Sequence, residues 1–465
     1  MTDRTTDGHR ATGESIALTT TTAHYHIVVV GTDPAGLILG ALCAKQGYRV
    51  LVIGQGGRGA LYEHEGFTFC RRPEIVYGLA SRPVRQVFEH LSLGFELRNL
   101  PRPLEPGYQV VLPHARIDVG TDEKLLAREL TRGFPGQLGR ISAFHKRVRE
   151  IDAQVQEVLE LGVHLPPRGL VEGFQFRRLV KRFPFLDDEW SIEDPLATFP
   201  HGDPFRAFAH APFRMCSDML PARPQPANFV RVIDQLAGGV SAFDGGPDTL
   251  RDLFLGLIAA AGDVRPQAAV AAIEVRRGRA TQVILRDRRH VIGCDLLVCN
   301  TDPKRFFNLI PQEQQKQDYH HVIHTLQPVY YTFVGNFAVR ARAVPEAMAR
   351  HVLAVFDVNR PLEEDNLVYI GRDADTGATT ADREVRTITA SMRVPIGSAT
   401  GGPATARRLL DRLQQRVEEV IPFLGDHLLA RHTPWLRRSE DGGSDEIDPN
   451  ELAPAYGEAL PHTLG

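Results

Sequence analysis

The most constraining stretch of the chain is residues 28–40, VVVGTDPAGLILG. A short continuous apolar run, residues 26–30, has the pattern of a parallel strand buried on both faces. It meets Gly31, turns, and enters a segment rich in small residues (Ala35, Gly36, Gly40, Ala41, Ala44) that reads as a helix over 34–46. Gly47 ends that helix, and YRVLVI (48–53) supplies a second strand. Strand, glycine turn, helix and strand in this order predict a Rossmann-like unit, in which a nucleotide pyrophosphate lies at the helix N-terminus. The usual turn is G-x-G-x-x-G, and here Asp33 stands at its middle glycine.

With 465 residues the chain is long enough for two or three domains. A net charge of −3 implies no general attraction to nucleic acid. The five cysteines (43, 70, 216, 294, 299) are odd in number and contain no C-x-x-C, so they read as buried reduced thiols of a cytoplasmic protein. Residues 1–23 are polar and Thr-rich, with no apolar core of a secretion signal, and read as a disordered leader. No apolar run approaches the ~18 residues that span a bilayer.

From about 80 to 235 the pattern is irregular, apart from an amphipathic helix near 143–161 carrying Val148, Ile151, Val155, Val158 and Leu159. Residues 236–305 return to α/β order. A helix with Leu250, Leu253, Phe254, Leu257 and Ile258 on one face follows Asp248, a plausible N-cap, and the strands AVAAIEV, ATQVILRD and DLLVCN come next. Strands at 327–395 and a helix near 404–421 complete the pattern. The fold class expected is α/β: a discontinuous Rossmann-like nucleotide-type domain with an inserted mixed β-sheet and helical segment, which the family resemblance given next implies is an FAD-type domain with a substrate domain. The boundaries read as 24–80 with 236–310 for the nucleotide-binding domain, 81–235 with 311–436 for the substrate domain, and a tail at 437–465.

The combination of GGR at Gly56–Arg58, GFTF, GGPDTLRDLFLGLIAAAG, the pair Val270 and Ile273, and CDLLVCNTDP at 294–303 resembles the phytoene desaturase and retinol saturase group of FAD-dependent oxidoreductases. The resemblance implies FAD as cofactor and hydride transfer between a C–C bond of an apolar lipid or isoprenoid substrate and the flavin. It implies that Gly31 and Gly36 form the phosphate turn, that Gly57 and Arg58 approach the flavin, that the Val270 backbone pairs with adenine, and that Asn300 to Pro303 close the domain. It names no catalytic residue, because in such proteins the flavin carries the redox chemistry.

Four departures bear on that cofactor. Asp33 places an anion against an anion, a repulsion of about 4 kcal/mol at ~4 Å and an effective dielectric near 20. As N-cap before Pro34 it is instead expected to satisfy the helix terminus internally. After VLVI the chain has Gly54 and Gln55 where a ribose-binding Asp or Glu is usual. FTFCRRPE (67–74) brings Arg71 and Arg72 to a position where the family tends to have glycine; Arg72 either blocks the ring, reaches an anion, or stays in solvent. The chain ends at LPHTLG, where the family continues into a further glycine-rich unit, so truncation or a second chain supplying that unit is expected. The rival reading is a pseudo-oxidoreductase that has lost FAD and acts as a partner or lipid-binding protein. RGLVEGFQFRRLVKRFPFL (168–186) interleaves basic and aromatic residues and suits peripheral contact with a membrane, or plain packing on the core. His320 and His324 in YHHVIH have i, i+4 spacing, but no Cys, Asp or Glu pattern accompanies them, and no metal site is expected.

Overall fold

Val28, Val29 and Val30, and all four residues of Val50–Ile53, are fully buried, as strands covered on both faces must be. In the computed structural model, which describes residues 23–161, 169–183, 193–217, 226–287, 290–315, 323, 327–372, 385–439 and 443–456, they lie at the centre of a six-stranded sheet. Ala23–Val30 pairs in parallel with Val50–Ile53 on one side and Val291–Cys299 on the other. Asp263–Arg265 extends the parallel edge beyond Val50–Ile53. Val270–Arg276 and Arg279–Leu285 form an antiparallel hairpin that joins the other edge through Val291–Cys299. The helix Pro34–Lys45 follows the first strand and buries Gly36, Leu37, Gly40, Ala41 and Ala44, the small-residue face read from the sequence.

The chain divides into two compact units, 1–57 with 254–316, and 58–253 with 317–465. Residues 58–80 and 236–253, expected in the nucleotide-binding domain, fall in the second unit. The cause is strand pairing: Val240–Phe243 takes Val76–Tyr77 on one side and Pro101–Leu104 on the other. Residues 311–316, expected in the substrate domain, fall in the first.

The second unit is built on an eight-stranded sheet whose longest strand, Pro328–Arg340, pairs antiparallel with Val385–Pro395. The helix Gly402–Val420 buries Leu410, Leu413 and Val417 in the same core as that sheet. A separate core gathers Phe134, Phe144, Phe199, Phe205, Phe208 and Phe229 among helices that include Leu138–Glu160, Pro204–Cys216 and Pro226–Ala237. Leu138–Glu160 contains the expected amphipathic face, with Val148, Ile151, Val155 and Val158 buried; Leu159 lies off that face and is exposed. All five cysteines are free, but only Cys70 and Cys294 are buried, and Cys299 is exposed. No helix among the described residues is long and apolar enough to cross a membrane.

Candidate functional site

In the first unit the turn after Ala23–Val30 is held by its own chain. The Gly31 amide donates to the Ile53 carbonyl at 2.8 Å, and the Asn300 amide donates to the Val30 carbonyl at 2.8 Å. Gly31 has φ of +112°, and a Cβ there would lie 1.8 Å from the Asn300 carbonyl oxygen. A Cβ on Gly36 would lie 2.2 Å from the Asn300 side chain. Both glycines of the turn are therefore required by Asn300, whatever ligand the turn meets.

Asp33 occupies the N-cap of Pro34–Lys45 with Pro34 in the first turn, as expected, but its side chain makes no capping hydrogen bond. This corrects the self-capping expectation. Asn300 does the work instead: its Oδ1 accepts from the Gly36 amide at 3.0 Å, and its Nδ2 donates to the Asp33 carbonyl at 2.9 Å. One amide side chain thus ties both strands of the turn, and the Asp33 carboxylate stands at an exposed helix terminus.

The ribose end is closed in a similar way. The Gly54 amide donates to the Arg265 carbonyl at 3.1 Å, which draws the chain at Pro266 against the loop. A Cβ on Gly54 would lie 2.3 Å from the Pro266 carbonyl oxygen, and one on Gly57 2.5 Å from it. A carboxylate at position 54 has no room in this fold. Gln55, Gly56 and Gly57 all adopt positive φ, which for Gln55 is a strained conformation. The Gln55 side chain accepts the Val270 amide at Oε1, 2.8 Å away. The backbone donor that the resemblance assigns to adenine is thereby engaged within the chain.

In the second unit, Arg58 of the GGR motif donates from Nη1 to Asp448 and, at 3.0 Å, to Glu451. Arg71 also donates to Glu451, at 2.6 Å. Asp448 and Glu451 are 2% and 6% exposed, and their pairing with these arginines offsets the cost of taking carboxylates out of water. Burial works against the Asp448 charge, but hydrogen bonds from Arg58 and the Asn450 amide outweigh it and hold the carboxyl below its usual range. Arg58→Ala should therefore destabilise the cofactor-free protein by about 2–3 kcal/mol, reduced from the full cost of breaking a buried pair because Arg71 remains. Urea unfolding without FAD measures this; an unchanged midpoint would show that Arg58 carries no structural charge.

The FTFCRRPE segment forms the strand Phe67–Cys70 and runs on to a small cavity of about 60 Å³. Asn336, fully buried, fixes the strand by donating to the Cys70 carbonyl at 2.8 Å and accepting from Thr389 at 2.8 Å. Arg72, Glu74, His351 and Tyr369 line the cavity, and Arg72 is exposed. Glu74 reaches solvent yet is crowded by protein on the cavity wall. That crowding, with repulsion from Asp248 and against attraction to Arg350, pushes its carboxyl up to about 7. His351 is held neutral by burial, with the positive Arg350 adding to the effect, at about 3. Its Nδ1 shares a 2.8 Å hydrogen bond with the Tyr369 hydroxyl. Asp248 stands directly before the helix Thr249–Ala259, and its carboxylate accepts the Ala60 amide and pairs with Arg251. Sequence reasoning missed Pro266, Asp448, Glu451 and Glu74. Only Glu74 carried a signal, an acid beside Arg71 and Arg72. The His320 and His324 pair lies outside the described residues.

These features define a class: an α/β protein with a Rossmann-like domain. A family described as NAD(P)-binding Rossmann-like domain matches residues 29–91. Over 113 residues the chain is 30% identical to a 4,4'-diapophytoene desaturase (4,4'-diapolycopene-forming) of a Methylomonas species, a match spanning 23% of this chain and 22% of that relative. Similar solved structures include an oxidoreductase from Methanosarcina mazei (15% identity, TM-score 0.52, 88% of this chain and 87% of that one). A putrescine oxidase bound to putrescine (14%, 0.52, 92% and 89%) and a RAB GDI from Plasmodium falciparum (12%, 0.53, 88% and 88%) share the fold. Proteins of such different activity on one architecture leave function to be argued from the site.

Proposed function

We propose that this chain is a desaturase-like relative that does not hold FAD in the manner of that family and serves as a binder of apolar, isoprenoid-class lipids. One observation carries the first half: the Gln55 side chain already accepts the Val270 amide at 2.8 Å. The Pro266 carbonyl on Gly54, the ion pairs of Arg58 and the charge of Asp33 point the same way. Adenine, ribose and diphosphate would each have to displace or face a group of the protein, so the residues present do not fit the cofactor. Lipid exchange at a membrane surface is supported by the helix Gly169–Arg182, where Leu170, Val171 and Phe174 are exposed beside Arg178, which stacks on Phe174.

A second reading, an FAD-dependent oxidoreductase acting on an isoprenoid C–C bond, is favoured by Glu74, whose carboxyl near neutrality suits proton transfer. Titration with FAD, read by flavin fluorescence, separates the two. Gln55→Ala frees the Val270 amide and Asp33→Gly removes an exposed charge. Each should tighten FAD about tenfold, the worth of roughly one hydrogen bond or one screened repulsion. Unchanged affinity in both variants would sink the claim that these groups obstruct the nucleotide.

A further inference from the structure

A helix packed on a protein core normally turns its apolar side inward. Gly169–Arg182 does so only in part. Leu179 packs against the phenylalanine-rich core of the second unit, and Phe176 and Val180, on the same side by spacing, are partly buried. On the opposite side Leu170, Phe174, Arg177, Arg178 and Lys181 follow i, i+4, i+7, i+8 and i+11 spacing, and all are exposed. Leu170 is 94% exposed, Val171 73% and Phe174 58%. Leu159 and Leu161, at the end of Leu138–Glu160, are also more than half exposed. Arg182 pairs with Glu157, which brings the basic end of the helix beside that terminus.

The exposed side is sorted along the helix axis. Its first turns carry Leu170, Val171 and Phe174, and its last turns carry Arg177, Arg178, Lys181 and Arg182. The Arg178 guanidinium stacks on the Phe174 ring, 4.7 Å from its centroid, where the two halves meet. Glu172, the one acid of the helix, is partly buried on the other side. Apolar groups held this far into water cost free energy. A bilayer interface takes both halves, the apolar tip into its acyl chains and the cations onto anionic headgroups. We propose that this helix docks the second unit on the surface of an anionic lipid bilayer, with Leu170, Val171 and Phe174 inserted among the acyl chains and Arg177, Arg178 and Lys181 on the headgroup phosphates. A symmetric contact with a second copy offers those cations no acid, since this side of the helix carries none. The inference deepens the lipid-binding reading by naming the membrane, and rests on it for that purpose only; it uses no residue of the nucleotide turn.

Co-sedimentation of the full chain with vesicles tests the docking. Phosphatidylcholine vesicles with roughly one third phosphatidylglycerol should bind it about a hundredfold tighter than pure phosphatidylcholine, as three basic side chains at the surface supply roughly fivefold each. Raised salt should release it. Arg177→Glu with Lys181→Glu should erase the preference, and the same reversal at Arg408 and Arg438, exposed on other elements, should leave it. Leu170→Glu with Phe174→Glu, at exposed positions that the fold does not need, should abolish binding. Phe174→Trp should shift its emission to the blue on anionic vesicles, which a helix adsorbed by charge alone would not do. Equal binding to the two kinds of vesicle, equal loss in the Arg408 and Arg438 reversal, or tryptophan emission unmoved on binding would each overturn the proposal. So would a dimer that Leu170→Glu with Phe174→Glu dissolves, in a protein that binds no vesicle. Uptake of an isoprenoid from detergent micelles tests the lipid-binding reading without a bilayer, so either can fail alone.

Discussion

Gly31→Ala should destabilise the cofactor-free protein by roughly 4 kcal/mol or more, among the largest effects of a single methyl group. Two terms add. The φ of +112° is one that alanine adopts only with strain, and the new Cβ would sit 1.8 Å from the Asn300 carbonyl oxygen. That oxygen cannot retreat without breaking the Asn300 amide's hydrogen bond to Val30 and the parallel pairing of Val291–Cys299 with the first strand. Gly56→Ala separates the two terms. Gly56 has φ of +98° but nothing within 4 Å of its Cβ position, so its substitution should cost only the backbone strain, about 1–2 kcal/mol. Urea unfolding of both variants, followed by circular dichroism without FAD, measures the difference. A Gly31→Ala protein as stable as Gly56→Ala would mean that Asn300 does not close on the turn.

The second large effect is acid sensitivity of the second unit. His351 is buried and neutral with a pKa of about 3, and His145 and His210 are lowered to about 4, in each case first by burial and then by nearby arginines. Unfolded, each would titrate near 6.5. Between those values the unfolded chain binds protons that the folded chain refuses, so stability is intact above pH 6.5 and falls as the pH drops toward 4. For His351 alone the loss between pH 7 and pH 5 is about 2 kcal/mol. The other two, partly exposed, add in the same direction with smaller weight. Glu74 runs the opposite way: its raised pKa stabilises the folded state increasingly as the pH falls from about 7 toward 4.5, and its solvent exposure keeps that term small. Urea midpoints at pH 7 and pH 5 should therefore differ, and His351→Gln should narrow the gap. A gap that His351→Gln leaves untouched would show that His351 takes up its proton within the folded protein.

The nucleotide-type unit was legible because its signals are local. A strand buried on both faces leaves a continuous apolar run, and a helix packed closely on it leaves Gly36, Gly40, Ala41 and Ala44 in register. What the sequence withheld lies in contacts between distant residues. Gly54 reads as a lost ribose ligand until the Pro266 carbonyl is found on top of it. Asp448 and Glu451 read as part of the tail at 437–465, because a carboxylate is solvated by default, and only Arg58, 390 and 393 residues away, makes them interior charges. Asp33 was placed correctly at the helix start, but the capping bond belongs to Asn300, which enters from the end of a strand 264 residues later than Gly36.

On the proposed reading, the groups that would meet a bound FAD are already engaged by the chain itself. Its most direct test is to purify the natural protein with excess FAD, desalt it, and read flavin absorbance near ~450 nm against protein concentration. The account predicts flavin on no more than about a tenth of the chains, as for a Kd of ~100 μM or weaker, about −5.5 kcal/mol. Flavin retained at one per chain would contradict it.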